Sequence, residues 1–233
     1  MINVVTWNMQ GGGGTDTVKN AIVQQFFNRR FDAICLQEMT NPLESFSLRE
    51  MEPNGVVIAY PPPPTRTPHA LNNYFCYYKR WGVNPRCSLA IYTRAYTHDC
   101  GAISLPADLG GAGQRPMLWV RVAPHYYVAS IHLSQDAPGT MWHRFEYFKN
   151  ELAFLMVAGS SCIIAGDYNL PPDYIEAHHA AELPHFTFTP AHVPTQQNGL
   201  RLDYVYSDTP MVTNLQYSLA FPSDHRILNF RVH

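Results

Sequence analysis

The chain is a succession of short runs rich in β-branched and aromatic residues, each closed by turn-forming residues. "INVVTWN" (2–8), "FDAICLQE" (31–38), "NYFCYYKR" (73–80), "CSLAIYT" (87–93) and "MLWVRVA" (117–123) read as strands. So do "YYVASIHLS" (126–134), "CIIAGDYN" (162–169), "RLDYVYS" (201–207), "LQYSLA" (215–220) and "RILNFRVH" (226–233). Two segments interrupt them with helical spacing. Residues 15–30 follow a Thr/Asp cap and repeat Val18, Ile22, Phe26 and Phe27, and residues 139–159 place Trp142, Phe145, Phe148, Leu152 and Leu155 on one face. "GGGG" at 11–14 predicts a flexible loop, and "PPPPTRTP" at 61–68 a rigid one that cannot be a central strand. Many strands with two helices between them predict two packed sheets with helices outside, in one α+β domain spanning residues 1–233.

Composition supports one large core. The 233 residues are 46% hydrophobic and 15% charged, and no apolar run reaches the roughly 18 residues of a membrane span. A net charge of −2 gives no global attraction to nucleic acid or anionic lipid, so any phosphate-binding surface must be local. The five cysteines lack metal-ligand spacing. Cys35 and Cys162 lie in apolar runs; a hairpin turning near Arg94 would set Cys87 opposite Cys100, where a disulfide would fit. The chain opens on a strand with no apolar leader, as in a cytosolic protein or one whose signal peptide has been removed.

Polar residues gather where strands end. Asn8, Glu38, His132, Asp167 with Asn169, Asp203, and Asp224 with His225 each close or flank a strand. Singly, each reads as a solvated strand end. Asp224–His225, before the last apolar run, is either a surface loop or part of a site. If the strands pack as two sheets, these ends converge on one rim. Carboxylates and amides without thiolates suit Mg²⁺ or Mn²⁺. Histidines with acidic partners suit acid–base work near neutral pH. Together they are equipment for transferring a phosphoryl group to water. There is no G-x-S-x-G elbow, and "GGGG" lacks the lysine and hydroxyl of a nucleotide-binding loop.

In chain order, "TWNMQG" (6–11), "LQE" (36–38), "QRP" (114–116), "IHLS" (131–134), "GDYN" (166–169), "LDYV" (202–205) and "SDH" (223–225) resemble the endonuclease/exonuclease/phosphatase superfamily. "RCSLAIYTR", "QRPMLWVRV" and "PTQQNGLRLDYV" are most similar to the B subunits of cytolethal distending toxins, relatives of deoxyribonuclease I. The resemblance implies a four-layer α/β/β/α sandwich of the deoxyribonuclease I type with mostly antiparallel sheets. It implies Glu38 as principal metal ligand with Asn8 and Asp224 nearby, and Asp167 and Asn169 orienting water and phosphate. It further implies His132 and His225 as the acid–base pair, with either one as the acid, His225 oriented by Asp203, and Arg115 on the phosphate. Where the toxin subgroup has an arginine after its tyrosine pair, "YYKR" offers Lys79 or Arg80; Arg144, opening the long helix, is a further phosphate candidate or an ordinary surface arginine. The implied activity is metal-dependent nicking of DNA with little sequence preference, the alternative being a phosphoinositide or other phosphomonoester phosphatase. Implied partners are DNA and toxin delivery subunits, and the implied location is a secreted toxin acting in a host nucleus, with the cytoplasm as alternative. The histidines at 178–179, 98, 125 and 143 read as solvated.

Overall fold

The computed structural model describes residues 1–14, 16–43, 46–52, 54–61, 73–82, 84–209, 212–218 and 223–232. Among the described residues, fourteen strands form two sheets. The first sheet contains β1 (Ile2–Gly14), β2 (Ala33–Leu43), β3 (Ser47–Met51), β4 (Val56–Tyr60), β5 (Phe75–Lys79), β6 (Ser88–Thr93), β13 (Val212–Ser218) and β14 (Ile227–Val232), in the order β13-β14-β1-β2-β6-β5-β4-β3. The second contains β7 (Cys100–Ile103), β8 (Met117–Ala123), β9 (Tyr126–His132), β10 (Ser161–Asp167), β11 (Phe186–Thr187) and β12 (Asp203–Ser207), in the order β11-β12-β10-β9-β8-β7.

Three apolar interfaces separate four layers. Helix α1 (Thr17–Asn28) covers the outer face of the first sheet, packing Val23, Phe26 and Phe27 on Val5, Trp7, Ile34 and Leu36. Helix α2 (Pro138–Leu155) covers the second, packing Trp142, Phe145, Phe148 and Leu152 on Ala129, Ile131, Ile164 and Tyr204. Between the sheets, Val4, Ala33, Cys35 and Ile91 meet Leu118, Val128, Ile163 and Val205. A third helix, α3 (Pro172–His178), which the sequence pattern had not suggested, follows β10. No helix among the described residues is long and apolar enough to cross a membrane.

The architecture is the expected sandwich, and its irregularities are informative. Both sheets are mostly antiparallel, yet each holds one parallel pair, β1 with β2 and β9 with β10. Parallel neighbours require a crossover, which α1 and α2 supply. The ends of each pair therefore lie side by side at one rim, and His132 is directly opposite Asp167 in the register. Asp167 in turn faces Asp203 across the antiparallel β10–β12 pair.

Several expectations are corrected. The glycine run is no loop: β1 continues through it, with Gly12, Gly13 and Gly14 pairing with Met39, Asn41 and Leu43. Gly13, at φ +96, lets the strands approach so closely that a Cβ there would lie 2.3 Å from the Asn41 carbonyl oxygen. β6 and β7 form no hairpin, because after β6 the chain crosses to the other sheet, where β7 pairs with β8. Cys87 and Cys100 are free thiols, as are the other three cysteines. On α1, Val18 is 54% exposed while Lys19 and Val23 are buried, and on α2 Leu155 is 46% exposed. His179, read as solvated, stacks on Trp142 with ring centroids 3.7 Å apart. The expected proline-rich loop lies outside the described residues from position 62 onward.

Candidate active site

The rim where the regular β1–β2 register breaks and the β9–β10 pair ends carries an open cleft of about 270 Å³, lined by Glu38, Arg115, His132, Gln135, Asp167, Asn169, Gln196 and His225. Each sheet delivers part of it. β2 ends its regular pairing at Glu38, which sits at φ +52 where the register with β6 and with β1 shifts. A non-glycine residue in the left-handed region costs roughly 1–3 kcal/mol and persists only when its surroundings impose it. Here the bulge turns the carboxylate into the cleft. Asn169, at φ +50, is held by its own backbone N–H donating to Asp167 Oδ1 at 2.9 Å and its side-chain amide donating to the Leu133 carbonyl at 2.7 Å. Gly166 makes the β9–β10 contact: at φ +148, a Cβ there would lie 2.1 Å from the Ile131 carbonyl oxygen.

Behind the cleft a buried polar bridge joins the sheets. Gln37 is fully buried, and its side-chain amide donates to Ser130 Oγ at 2.8 Å and Thr6 Oγ1 at 3.0 Å. Thr6 and Ser130 each precede a site residue, Asn8 and His132, by two positions on the same strand face. Ser223 Oγ donates to the Asn8 carbonyl at 2.7 Å and accepts from the His225 backbone N–H at 3.1 Å, tying the His225 segment to β1.

The ionisable groups form one continuous chain. Asp203 Oδ2 and His225 Nδ1 are 2.8 Å apart, both residues buried. The other nitrogen of that ring, Nε2, lies 3.8 Å from Asp167 Oδ2 and 3.6 Å from Asp224 Oδ1. His132 Nε2 lies 3.4 Å from Asp167 Oδ2 and 3.6 Å from Glu38 Oε1. Asn8 stands between the two carboxylates, its amide nitrogen 2.9 Å from Asp167 Oδ2 and 3.4 Å from Glu38 Oε1.

Burial governs the protonation of this set. Burial and the neighbouring Asp203 charge raise the Asp167 carboxyl to about 7, against the pull of His225 and the amides. For His225, burial alone would depress the imidazole, but the hydrogen bond and charge of Asp203, with Asp167 and Asp224, reverse this and lift it to about 9. His132 goes the other way, well below the ordinary histidine value, through burial and then the Arg115 and His225 charges. The two rings are thus set apart: at neutral pH the raised His225 holds the proton and the lowered His132 does not.

The donor set can accept a hard cation. Glu38 and Asp167 offer carboxylate oxygens to one open wall, the hard donors that such cations take. The buried ligand atoms of Asp167, Asp203 and His225 also lie within 4.8 Å of one another, but Asp203 and His225 already satisfy each other. Asn8, expected near a metal, presents its NH₂ to the carboxylates, while its Oδ1 accepts from the Gln10 N–H at 3.0 Å.

Other candidates fall elsewhere. Asp224 flanks His225 outside the cleft lining. Arg115 lines the cleft, donating to the Leu133 carbonyl at 3.2 Å and lying 5.5 Å over the Trp81 ring. Lys79 donates to the Asn54 carbonyl and Arg80 is exposed; neither lines the cleft. Arg144 is 4% exposed, donating to Asp136 Oδ2 at 3.0 Å and the Leu109 carbonyl at 3.1 Å, so it is neither a surface arginine nor a cleft residue. Gln135 and Gln196 were missed, because a lone glutamine in a loop gives no chemical signal. Gln196 could have been found from its place in "PTQQNGLRLDYV"; its side-chain amide nitrogen lies 3.3 Å from His225 Nε2.

Two sheets of this topology with carboxylates and imidazoles on one rim define a phosphoesterase hydrolase. Residues 5–225 match the Endonuclease/Exonuclease/phosphatase family, and the chain belongs to it. Enzymes of that family generally use divalent metals. A comparison with curated proteins by sequence gives no match. Among solved structures, the fold is similar to the Haemophilus ducreyi cytolethal distending toxin, with TM-score 0.73 and 21% identity over 99% of this chain and 98% of that one. It is also similar to CdtB, the biologically active subunit of cytolethal distending toxin, with TM-score 0.70 and 19% identity over 100% and 98%. The catalytic domain of human nocturnin, solved with a bound sulfate anion, gives TM-score 0.64 and 17% identity over 100% and 94%.

Proposed function

We propose that this chain is a divalent-metal-dependent phosphodiesterase that nicks DNA with little sequence preference. The observation that carries the reading is the composition of the cleft. Two imidazoles of opposite protonation face one another across Asp167, and Arg115 is the one arginine or lysine among the described lining residues. Diester cleavage needs one group to accept a proton from water and another to donate one to an alkoxide leaving group. His225, kept protonated by Asp203, is the donor. His132, kept neutral, is the acceptor. Asn169 and Arg115 hold the phosphate, Asp203 fixes the His225 ring, and Gln37 keeps both strand ends in register. Glu38 and Asp167 would hold Mg²⁺ or Mn²⁺, which supplies Lewis-acid stabilisation of the phosphate oxygens when bound.

A phosphoinositide phosphatase would need several cations around its pocket for the additional phosphates. One lining arginine does not provide them, so the diester reading is preferred. A delivery subunit and action in a host nucleus extend the reading by analogy with the toxin. The deciding experiment places supercoiled-plasmid nicking beside phosphate release from a phosphoinositide, each with and without Mg²⁺. Nicking only with metal is the expected result; phosphate release with intact plasmid would reverse the assignment.

A further inference from the structure

A second groove opens on the outer face of the first sheet where α1 ends. Its volume, about 260 Å³, is close to the 270 Å³ of the catalytic cleft. Two arginines line it, Arg29 and Arg231, with four amides, Asn3, Asn214, Gln216 and Asn229. Beneath the helix this sheet face is apolar, and Val5, Trp7 and Ile227 join the α1 core. Two residues further along the same strands it turns polar, at Asn3 and Asn229. A register shift between Thr213 and Gln216 puts a bulge in the edge strand β13, with Asn214 at φ +56, and the bulge borders the groove. Arg231 Nε donates to Asn3 Oδ1 at 2.8 Å. Among the described residues, no acid lies within ion-pair distance of Arg29 or Arg231, and the side-chain amides of Asn214, Gln216 and Asn229 make no hydrogen bond. Asp32, on the neighbouring loop, is taken by the Asn3 backbone N–H at 2.8 Å and by Arg94 at 3.9 Å.

We propose that this groove binds a small sugar carrying one anionic group, with Arg29 and Arg231 on the anion and the amides on the hydroxyls. The donors decide the class. Guanidinium groups only donate, and they fit an oxyanion through paired bonds. Carboxamides donate and accept side by side, which suits a ring of neighbouring hydroxyls that do the same. Phe31, also in the lining, offers an apolar patch to the C–H face of the ring. The lining holds no acid and no lysine, whereas an ordinary solvated face intersperses charges of both signs. A lipid tail would need apolar walls. A peptide strand would add to the backbone edge of β13 rather than to this face, and a nucleic-acid strand would need a row of cations. The volume is near the lower end of small-molecule pockets, about 300 Å³, so one ring fits. Asn3 precedes Asn8 along β1 by five residues, or about 16 Å of strand. The site therefore stands apart from hydrolysis, and the inference does not rest on the diester reading.

The test titrates the isotope-labelled full chain with glucuronate, glucose 6-phosphate, glucose and inorganic phosphate. Amide shifts at Asn3, Gln216, Asn229 and Arg231 are read by NMR against those at His132 and His225. Roughly thirteen non-hydrogen atoms at ordinary ligand efficiency give a Kd of about 1 mM for glucuronate. Glucuronate or glucose 6-phosphate should shift the groove signals saturably in that range, and the tighter of the two identifies the anion as carboxylate or phosphate. Glucose and inorganic phosphate should each bind there at least about tenfold more weakly. Arg231→Gln should weaken sugar binding at least about tenfold with an unchanged melting temperature, and the wild-type map stands whether or not that variant folds. Glucose binding as tightly as glucuronate overturns the inference, as does inorganic phosphate binding as tightly as either anionic sugar. So does the absence of saturable groove shifts with both anionic sugars at about 20 mM, well above the expected Kd.

Discussion

His225 Nδ1 lies 2.8 Å from Asp203 Oδ2, and the two residues, 22 positions apart in sequence, are 5% and 2% exposed. The pair explains why an ionisable dipeptide precedes a buried strand: Asp203 closes the cost of burying His225, and β14 then carries the chain back under the core. Removing the carboxylate leaves a buried imidazole without its charge partner. Asp203→Asn should therefore behave like His225→Ala in turnover. Each should lose about 10²–10⁴-fold, as should His132→Ala, with steady-state rates on plasmid as the measurement; near wild-type rates in both histidine variants would rule out this site.

The pH profile follows from the same groups. Asp167, raised to about 7, must lose its proton to face a cation, so at limiting metal kcat/KM should fall as pH drops below that value, and saturating Mg²⁺ should move this limb to lower pH. His225, raised to about 9, must be protonated to donate, so kcat/KM should also fall as pH rises through that value. In Asp203→Asn the alkaline limb should move towards lower pH. A profile without an alkaline limb would contradict His225 as donor.

Stability carries the matching signature. The folded His225 value of about 9 exceeds the ordinary 6.5. Its contribution is thus fully present below about pH 6.5 and is lost as pH rises through 9. The shift corresponds to about 3 kcal/mol. Denaturant midpoints between pH 6 and 10 should fall in wild type and change less in His225→Gln.

Glu38→Gln should leave the fold intact and weaken Mn²⁺ binding, read directly by calorimetry as a loss of at least about tenfold. Excess chelator should abolish plasmid nicking by wild type. Full activity in chelator would remove the metal from the account.

Gly166→Ala should cost at least about 3 kcal/mol, since the new methyl meets backbone rather than a movable side chain. At roughly 2–4 °C per kcal/mol for a chain of this size, the melting temperature should drop by about 6–12 °C.

What the sequence revealed depended on whether the signal was local. The strands that deliver Asn8, Glu38, His132, Asp167 and Asp203 were legible because each holds a β-branched or aromatic run bordered by a polar group. β3, β7 and β11 were not, being strands of two to five residues at sheet edges, and β4, though apolar and β-branched, is only five residues long. Glycine has no side chain to betray whether it serves a turn or a close strand pairing, so the run at 11–14 was misread until Asn41 was seen against Gly13. Arg144 was legible as a cation but not as a buried one, because its partners Asp136 and Leu109 come from segments with no periodic pattern. The order of the histidines depended on burial and on the Asp203 contact, neither of which a linear chain displays.

The Gln37 amide spans the line along which the two sheets meet, and the cleft straddles that same line: Glu38 belongs to one sheet, His132 and Asp167 to the other. The cleft is accordingly a seam, and hydrolysis reports the alignment of its two sides. Mild denaturant or pressure that shears sheet against sheet by a fraction of one strand residue, with each sheet still hydrogen-bonded, would silence the enzyme while circular dichroism still recorded native secondary structure.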